Sequence, residues 1–191
     1  MIDKIDYINY NLEFEKENEI LNLEEIEFHN TSFIKNNLAN SKLINCYFDN
    51  VLFDNCDLSN INFNKSYFKK VHFKDCKMLG ISLIDATIDN SLIEESNLKY
   101  INYANTNIKN TKFVSSTLEN ATFNETKLNK ITFDNINLNN IEVFNTSFNN
   151  IDLTSCSIEN IKIDLKCLKG SFISTYQALD LINLLGVKIK E

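Results

Sequence analysis

An apolar residue recurs at every fifth position from Phe28 to Leu168 without a slip of phase. Two places before each lies a second, smaller set: Ile26, Thr31, Ser41, Cys46, Val51, Cys56, Ile61 and onward to Cys156 and Ile161, interrupted only by Asn36 and Lys166. The other three positions of each quintet are mostly Asn, Asp, Lys, Ser, Thr and Glu. Each quintet therefore presents two residues inward and three to water. A period of five matches neither the 3.6 of a helix nor the 2.0 of a plain strand. It matches a coil that turns a corner every five residues, a short-repeat solenoid.

A longer period of twenty appears when the large residues are sorted into four columns. The first column holds Phe28, Phe48, Phe68, Ile88, Ile108, Leu128 and Phe148, and the second Phe33, Phe53, Phe73, Ile93, Phe113, Phe133 and Leu153. The third is Leu-rich, from Leu38 to Ile158. The fourth is mixed, with Leu43, Phe63, Leu83, Tyr103, Phe123, Val143 and Ile163. Like stacks on like one coil apart, as expected of coils at strand spacing, ~4.8 Å. The quintets of residues 26–165 make seven coils, a rod roughly 34 Å long at that spacing.

This small-x-large-x-x pattern resembles the pentapeptide-repeat family. The resemblance implies an all-β solenoid, a right-handed quadrilateral parallel β-helix, with one quintet per side and Phe28, Phe33, Phe48, Phe53, Phe63, Phe68, Phe73, Phe113, Phe123, Phe133 and Phe148 forming the inner ladder. Three segments are expected: an N-terminal cap or irregular first coil over 1–25, the β-helix over 26–165, and a C-terminal helix and tail over 166–191. Within 1–25, the stretch Glu15 to Glu19 is expected to be a solvated excursion.

Composition narrows the chemistry. The chain has no Pro and only 3 Gly, so its corners need another residue; Asn, which tolerates positive φ, closes many quintets. Cys46, Cys56, Cys76 and Cys156 occupy the small inward position, where a thiol is a compact apolar filler. Cys167 lies past the last regular quintet. No C-x-x-C spacing occurs, and neither a metal nor a cofactor is expected. His29 and His72 fall at outward positions two coils apart and are read as exposed surface histidines. Glu94 with Glu95 is the densest carboxylate cluster, but a catalytic cleft needs long loops above the coil and the unbroken phase leaves no room for one. An enzyme is therefore not expected. With no secretory or membrane-spanning run, the chain is expected to be cytoplasmic.

Toward the C-terminus, Ser174 and Gln177 form a capping-box pattern ahead of Ala178, Leu179, Leu181, Ile182, Leu184 and Leu185, a helix closed by Gly186. Its apolar residues cover more than one face. Tyr176, Leu179, Ile182 and Leu185 are expected to pair two copies tail to tail, with simple capping of the last coil as the alternative. The segments Leu168-Lys169-Gly170, Tyr176-Gln177-Ala178-Leu179 and Leu184-Leu185-Gly186-Val187, together with Cys76-Lys77-Met78-Leu79-Gly80-Ile81, are similar to the Qnr group within the family. That resemblance implies tail-to-tail dimers that bind DNA gyrase and topoisomerase IV and modulate quinolone susceptibility, by imitation of a DNA duplex. Qnr proteins of Gram-negative bacteria carry two loops that this chain lacks; loopless members of the family also act on gyrase.

The formal charge of −7 divides into −6 for residues 1–25, −3 for 26–165 and +2 for 166–191. A pI near 4.9 and the lack of arginine argue against direct nucleic-acid binding. The second side is the most acidic, and Asp54, Glu94, Glu95, Asp134 and Asp152 with outward Leu52 and Leu92 are its candidate partner-binding residues. The alternative function is an interaction scaffold with an unrelated protein partner.

Overall fold

The structure, a computed structural model, describes residues 7–182 together with 184 and 186. The chain winds as a four-sided parallel solenoid. Its first side stacks the strands Ile8–Tyr10, Glu27–His29, Tyr47–Asp49, Tyr67–Lys69, Thr87–Asp89, Asn107–Lys109 and Lys127–Asn129. The second side stacks Glu13–Glu15, Ser32–Ile34, Leu52–Asp54, His72–Lys74, Leu92–Glu94, Lys112–Val114 and Thr132–Asp134. On the third side single bridges link Asn18, Asn37, Asp57, Lys77, Asn97, Thr117, Asn137 and Ser157. The fourth joins short strands at Asn22–Glu24, Lys42–Ile44, Thr122–Asn124, Glu142–Phe144 and Lys162–Ile163 through bridges at Asn62, Ser82 and Asn102. Register is twenty residues per coil, as in Phe53↔Phe73↔Ile93.

The solenoid has about eight turns, one more than the seven expected. Residues 8 to 24 form the extra coil, paired to the next at an offset of nineteen on three sides (Ile8↔Glu27, Glu13↔Ser32, Asn18↔Asn37) and of twenty on the fourth (Asn22↔Lys42). One residue is missing between the third and fourth sides, which hides this coil from a strict five-residue count. Glu15 to Glu19 is consequently part of the winding and not an excursion. Asn36, the inward polar exception, adjoins this short coil. It is 1% exposed, its amide donates to the Phe14 carbonyl (3.1 Å), and its side-chain oxygen accepts from the Glu17 N–H (2.9 Å).

The inward assignment explains the core. Every small position from Ile26 to Ile161 and every large one from Phe28 to Ile163 is buried, Leu128 alone being half-buried. Phenylalanines stack face to face along the axis: Phe33 on Phe53 with ring centres 4.8 Å apart, Phe48 on Phe68 at 4.9 Å, and Phe53 on Phe73 at 5.0 Å. Such spacing equals one coil rise and lies in the favourable range for aromatic pairs. Inward Ser and Thr are bonded to the preceding coil's backbone. The Ser66 hydroxyl, for example, donates to the Leu43 carbonyl (2.9 Å) and accepts from the Cys46 N–H (3.0 Å). A polar group this deep is tolerated because it is satisfied.

Corners use positive φ as expected. Each quintet from the one ending at Asn30 to the one ending at Asn160 closes on such a residue, Ser155 excepted, and Lys35, Glu95, Tyr100 and Ser115 adopt it as well as Asn. Gly80 stands where an added Cβ would meet the Asn60 side-chain oxygen at 2.7 Å. Many of the tight turns carry Asn or Asp one place after the inward small residue. Asn37, Asp57, Asn62, Asn97, Asn102 and Asn137 each accept from the backbone N–H two residues on, at 2.9–3.2 Å. These Asx turns replace strands on the third side and on part of the fourth.

At the C-terminus a short helix α1, Leu165–Leu168, replaces the strand that would continue the first side, and Cys167 takes the inward place. Helix α2, Thr175–Ile182, closes the rod. The capping box is formed: the Ser174 N–H donates to Gln177 Oε1 (2.7 Å), and the Gln177 N–H to Ser174 Oγ (3.3 Å). The buried Gln177 amide also donates to the carbonyls of Leu153 (2.6 Å) and Cys156 (2.7 Å), sealing the last coil's open edge.

Candidate partner-binding surfaces

Outward residues of the second side fall into two columns set by the strand register. One runs Ile34, Asp54, Lys74, Glu94, Val114, Asp134, and the other Ser32, Leu52, His72, Leu92, Lys112, Thr132. The candidate acids share this side without forming an unbroken ladder, since Lys74 separates Asp54 from Glu94 and Val114 separates Glu94 from Asp134. Glu95 is exposed at the corner. Asp152, further along, is turned onto the hydroxyl of Thr154 (2.6 Å), whose hydrogen bonds hold its carboxyl below the ordinary 3.8. Leu52 and Leu92 flank His72 in the other column, each half-buried.

Neither histidine is a free surface residue, contrary to the sequence expectation. His72 Nε2 lies 2.9 Å from Glu94 Oε1 and His29 Nε2 lies 2.9 Å from Glu27 Oε2, both rings being partly covered. His29 is further sandwiched by Tyr10 at 4.7 Å and Tyr47 at 5.5 Å. Glu27 is two residues from His29 on the same strand, whereas Glu94 reaches His72 from the next coil, and a twenty-residue offset builds ion pairs on the other sides: Lys69 with Asp49 (3.1 Å), Lys109 with Asp89 (3.3 Å), Lys77 with Asp57 (2.9 Å) and Lys99 with Glu119 (2.7 Å). Burial alone would raise Asp57, yet hydrogen bonds from Ser59 and the Lys77 ammonium outweigh it and leave its pKa below 3.8. Asp89 behaves alike, with Asn110, Lys109 and Tyr67 overcoming burial. Among the described residues, no group of three or more His, Cys, Asp or Glu is placed to hold a metal.

The cysteines lie inside. Burial pushes the Cys46 thiol up to about 11. Cys56 and Cys76 neighbour each other one coil apart as free thiols, and their mutual hydrogen bond together with burial pushes Cys76 up.

Among the described residues both ends expose apolar side chains: Tyr7, Ile8, Tyr10 and Ile20 in the first coil, and at the C-terminal end Tyr176 at 84%, Phe172 at 58% and Leu179 at 52%, with Ile173 and, further back, Leu165. Leu181 and Leu184 pack against the core instead. Of the four residues expected to pair two copies, Tyr176 and Leu179 point outward, Ile182 is half-buried, and Leu185 is outside the described residues. Phe172 and Ile173 were not anticipated, because they belong to an incomplete ninth coil in which Phe172 pairs with Asp152.

A four-sided parallel solenoid whose corners repeat every five residues defines the class. Residues 46–123 match the family model described as a pentapeptide repeat region, and the same winding continues through the coils on either side. The chain thus holds a pentapeptide repeat region within a solenoid of the matching fold. No curated protein matches it. Among solved structures it is similar to a trypsin-treated form of QnrB1, a plasmid-mediated fluoroquinolone resistance protein, at 17% identity and a TM-score of 0.37, covering 96% of this chain and 100% of that one. It is also similar to HetL, a pentapeptide repeat protein involved in heterocyst differentiation regulation from the cyanobacterium Nostoc sp. strain PCC 7120, at 10% identity and a TM-score of 0.40, covering 89% and 90%. These likenesses transfer no residue role.

Proposed function

We propose that this chain is a non-enzymatic protein-binding rod of the Qnr kind, which pairs tail to tail, binds a type II topoisomerase and modulates quinolone action. The observation that carries protein binding is the exposed apolar end at Phe172, Tyr176 and Leu179. Exposed apolar side chains clustered on one short segment mark a candidate interface, although the N-terminal coil also exposes Tyr7, Ile8, Tyr10 and Ile20. A second copy is the occupant favoured by the commonness of two-fold pairs. The topoisomerase as partner rests on the similarity of the tail and of Cys76 to Ile81 to the Qnr group. Duplex mimicry draws little support from the faces, because Lys69, Lys77, Lys99 and Lys109 each neutralise a carboxylate one coil away, whereas DNA carries about one charge per 1.7 Å.

The test is supercoiling by purified gyrase in ciprofloxacin, titrated with this protein. Restored supercoiling supports the reading. Inhibition in the absence of drug would indicate competition for gyrase without rescue. No effect in either arm overturns the topoisomerase assignment and favours a scaffold with an unrelated partner.

A further inference from the structure

The edge where the first side turns into the second differs from the rest of this acidic molecule. A line of shallow hollows marks this edge as a broken groove: two adjoining hollows of about 300 Å³ each that share Lys70 and His72, then, one coil past Asn110 and with no lining residue in common, a third of about 420 Å³ beside Lys130. No carboxylate lines any of the three. The acids next to it are engaged: Asp49 by Lys69, Asp89 by Lys109 and Asn110, Glu94 by His72, and Asp152, beside Ile151, by Thr154 alone. By contrast the side-chain ammonium groups of Lys70, Lys112 and Lys130 make no ion pair or hydrogen bond among the described residues. Lys70 and Lys130 project from corner positions at φ 55° and 53°, so their stems leave the coil at its outermost point. The lining is apolar at Leu52, one coil before Lys70, and at Leu92, one coil beyond it, with the corner amides of Asn50 and Asn90 alongside.

We propose that this groove is a docking site for an extended segment of a protein partner in which acidic and apolar side chains alternate. Unpaired ammonium groups along a carboxylate-free edge set the charge of the ligand. Half-buried leucines call for apolar side chains at intervening positions, and the corner amides offer donors and acceptors to a peptide backbone. From the coil of Asn30 to that of Asn150 the groove spans six coil steps, roughly 29 Å, which holds about nine extended residues. A nucleic acid fits less well: three cations over that length, on a chain of net charge −7, cannot match one phosphate per nucleotide. The proposal does not depend on the partner being a topoisomerase.

The experiment uses the full chain and a fluorescein-labelled peptide of about nine residues that alternates glutamate and leucine, read by fluorescence anisotropy. Expected are saturable binding that weakens with added salt, no binding of the matching lysine–leucine peptide, and a loss of about tenfold in affinity for the triple variant Lys70→Glu/Lys112→Glu/Lys130→Glu. A charge-matched control, Lys35→Glu/Lys42→Glu/Lys65→Glu, lies off the groove and should bind as the parent does, which separates a local site from a change in net charge. Equal losses in both variants, or equal binding of the two peptides, would overturn the proposal. So would capture of labelled oligothymidylate, lost in the groove variant, with no binding of the acidic peptide. Thermal melts of both variants serve as the check that each remains folded.

Discussion

A single ring in the ladder carries much of the packing. Phe73 is 3% exposed and stacks on Phe53 at 5.0 Å, with Phe68 tilted against it at 5.9 Å. Its neighbours are fixed by backbone pairing on both flanking coils and cannot close a void, so Phe73→Ala should cost about 3–5 kcal/mol; an unchanged urea midpoint would mean the ring is not in the core. The thiols test the interior in another way. All five cysteines are buried, so native protein should release no colour from Ellman's reagent over minutes while all 5 react in guanidinium; Cys46, pushed up to about 11 by burial, also holds almost no thiolate near pH 8. Rapid native reaction would show that the coils open. Residue identity made both features legible, because Phe and Cys recur at inward phases of the repeat.

Between neighbouring coils the unit of stability is the outward ladder, in which a residue meets its partner twenty places on. Asp89 is held below 3.8 in the folded chain, so the folded state binds fewer protons there than the unfolded one. Its stabilising contribution is complete above pH 3.8 and disappears as pH falls through the lower folded value. Asp89→Asn should therefore lower the urea midpoint at pH 7, with the gap from the parent closing in more acidic solution; a gap that persists at pH 2 would place the effect outside ionisation. At this scale sequence reasoning was least complete. Both histidines were read as free because their partner carboxylates, Glu27 and Glu94, become neighbours only through strand geometry and register. Asx turns at Asn62 and Asn102 were legible in principle as Asn one place after the inward small residue, but the period alone could not assign them to turn or strand.

For the whole molecule, the decisive feature is the contrast between a sealed core and exposed apolar side chains at its ends, Tyr7, Ile8, Tyr10 and Ile20 in the first coil and Phe172, Tyr176 and Leu179 in the tail. Tyr176→Glu with Leu179→Glu should convert the proposed dimer to monomers in light scattering without loss of the fold, since both side chains project to solvent and neither forms the Gln177 seal. A mass equal to the parent's would reject the tail as the pairing surface. The same charge substitution in the half-buried Leu181, packed against the core, is expected to destabilise the protomer itself.

Sequence alone determined the solenoid, its four sides, the inward residues and the capping box, because each is a property of short-range phase: side chains five and twenty positions apart must share a face whenever the corner repeats. Only the tertiary structure decided the extra N-terminal coil, since one deleted residue between Asn18 and Asn22 breaks the count while leaving backbone pairing intact. It also decided which surface charges are neutralised and which lysines stand free along one edge. Those outcomes depend on the reach of flexible side chains across a coil step, a distance that no periodicity contains.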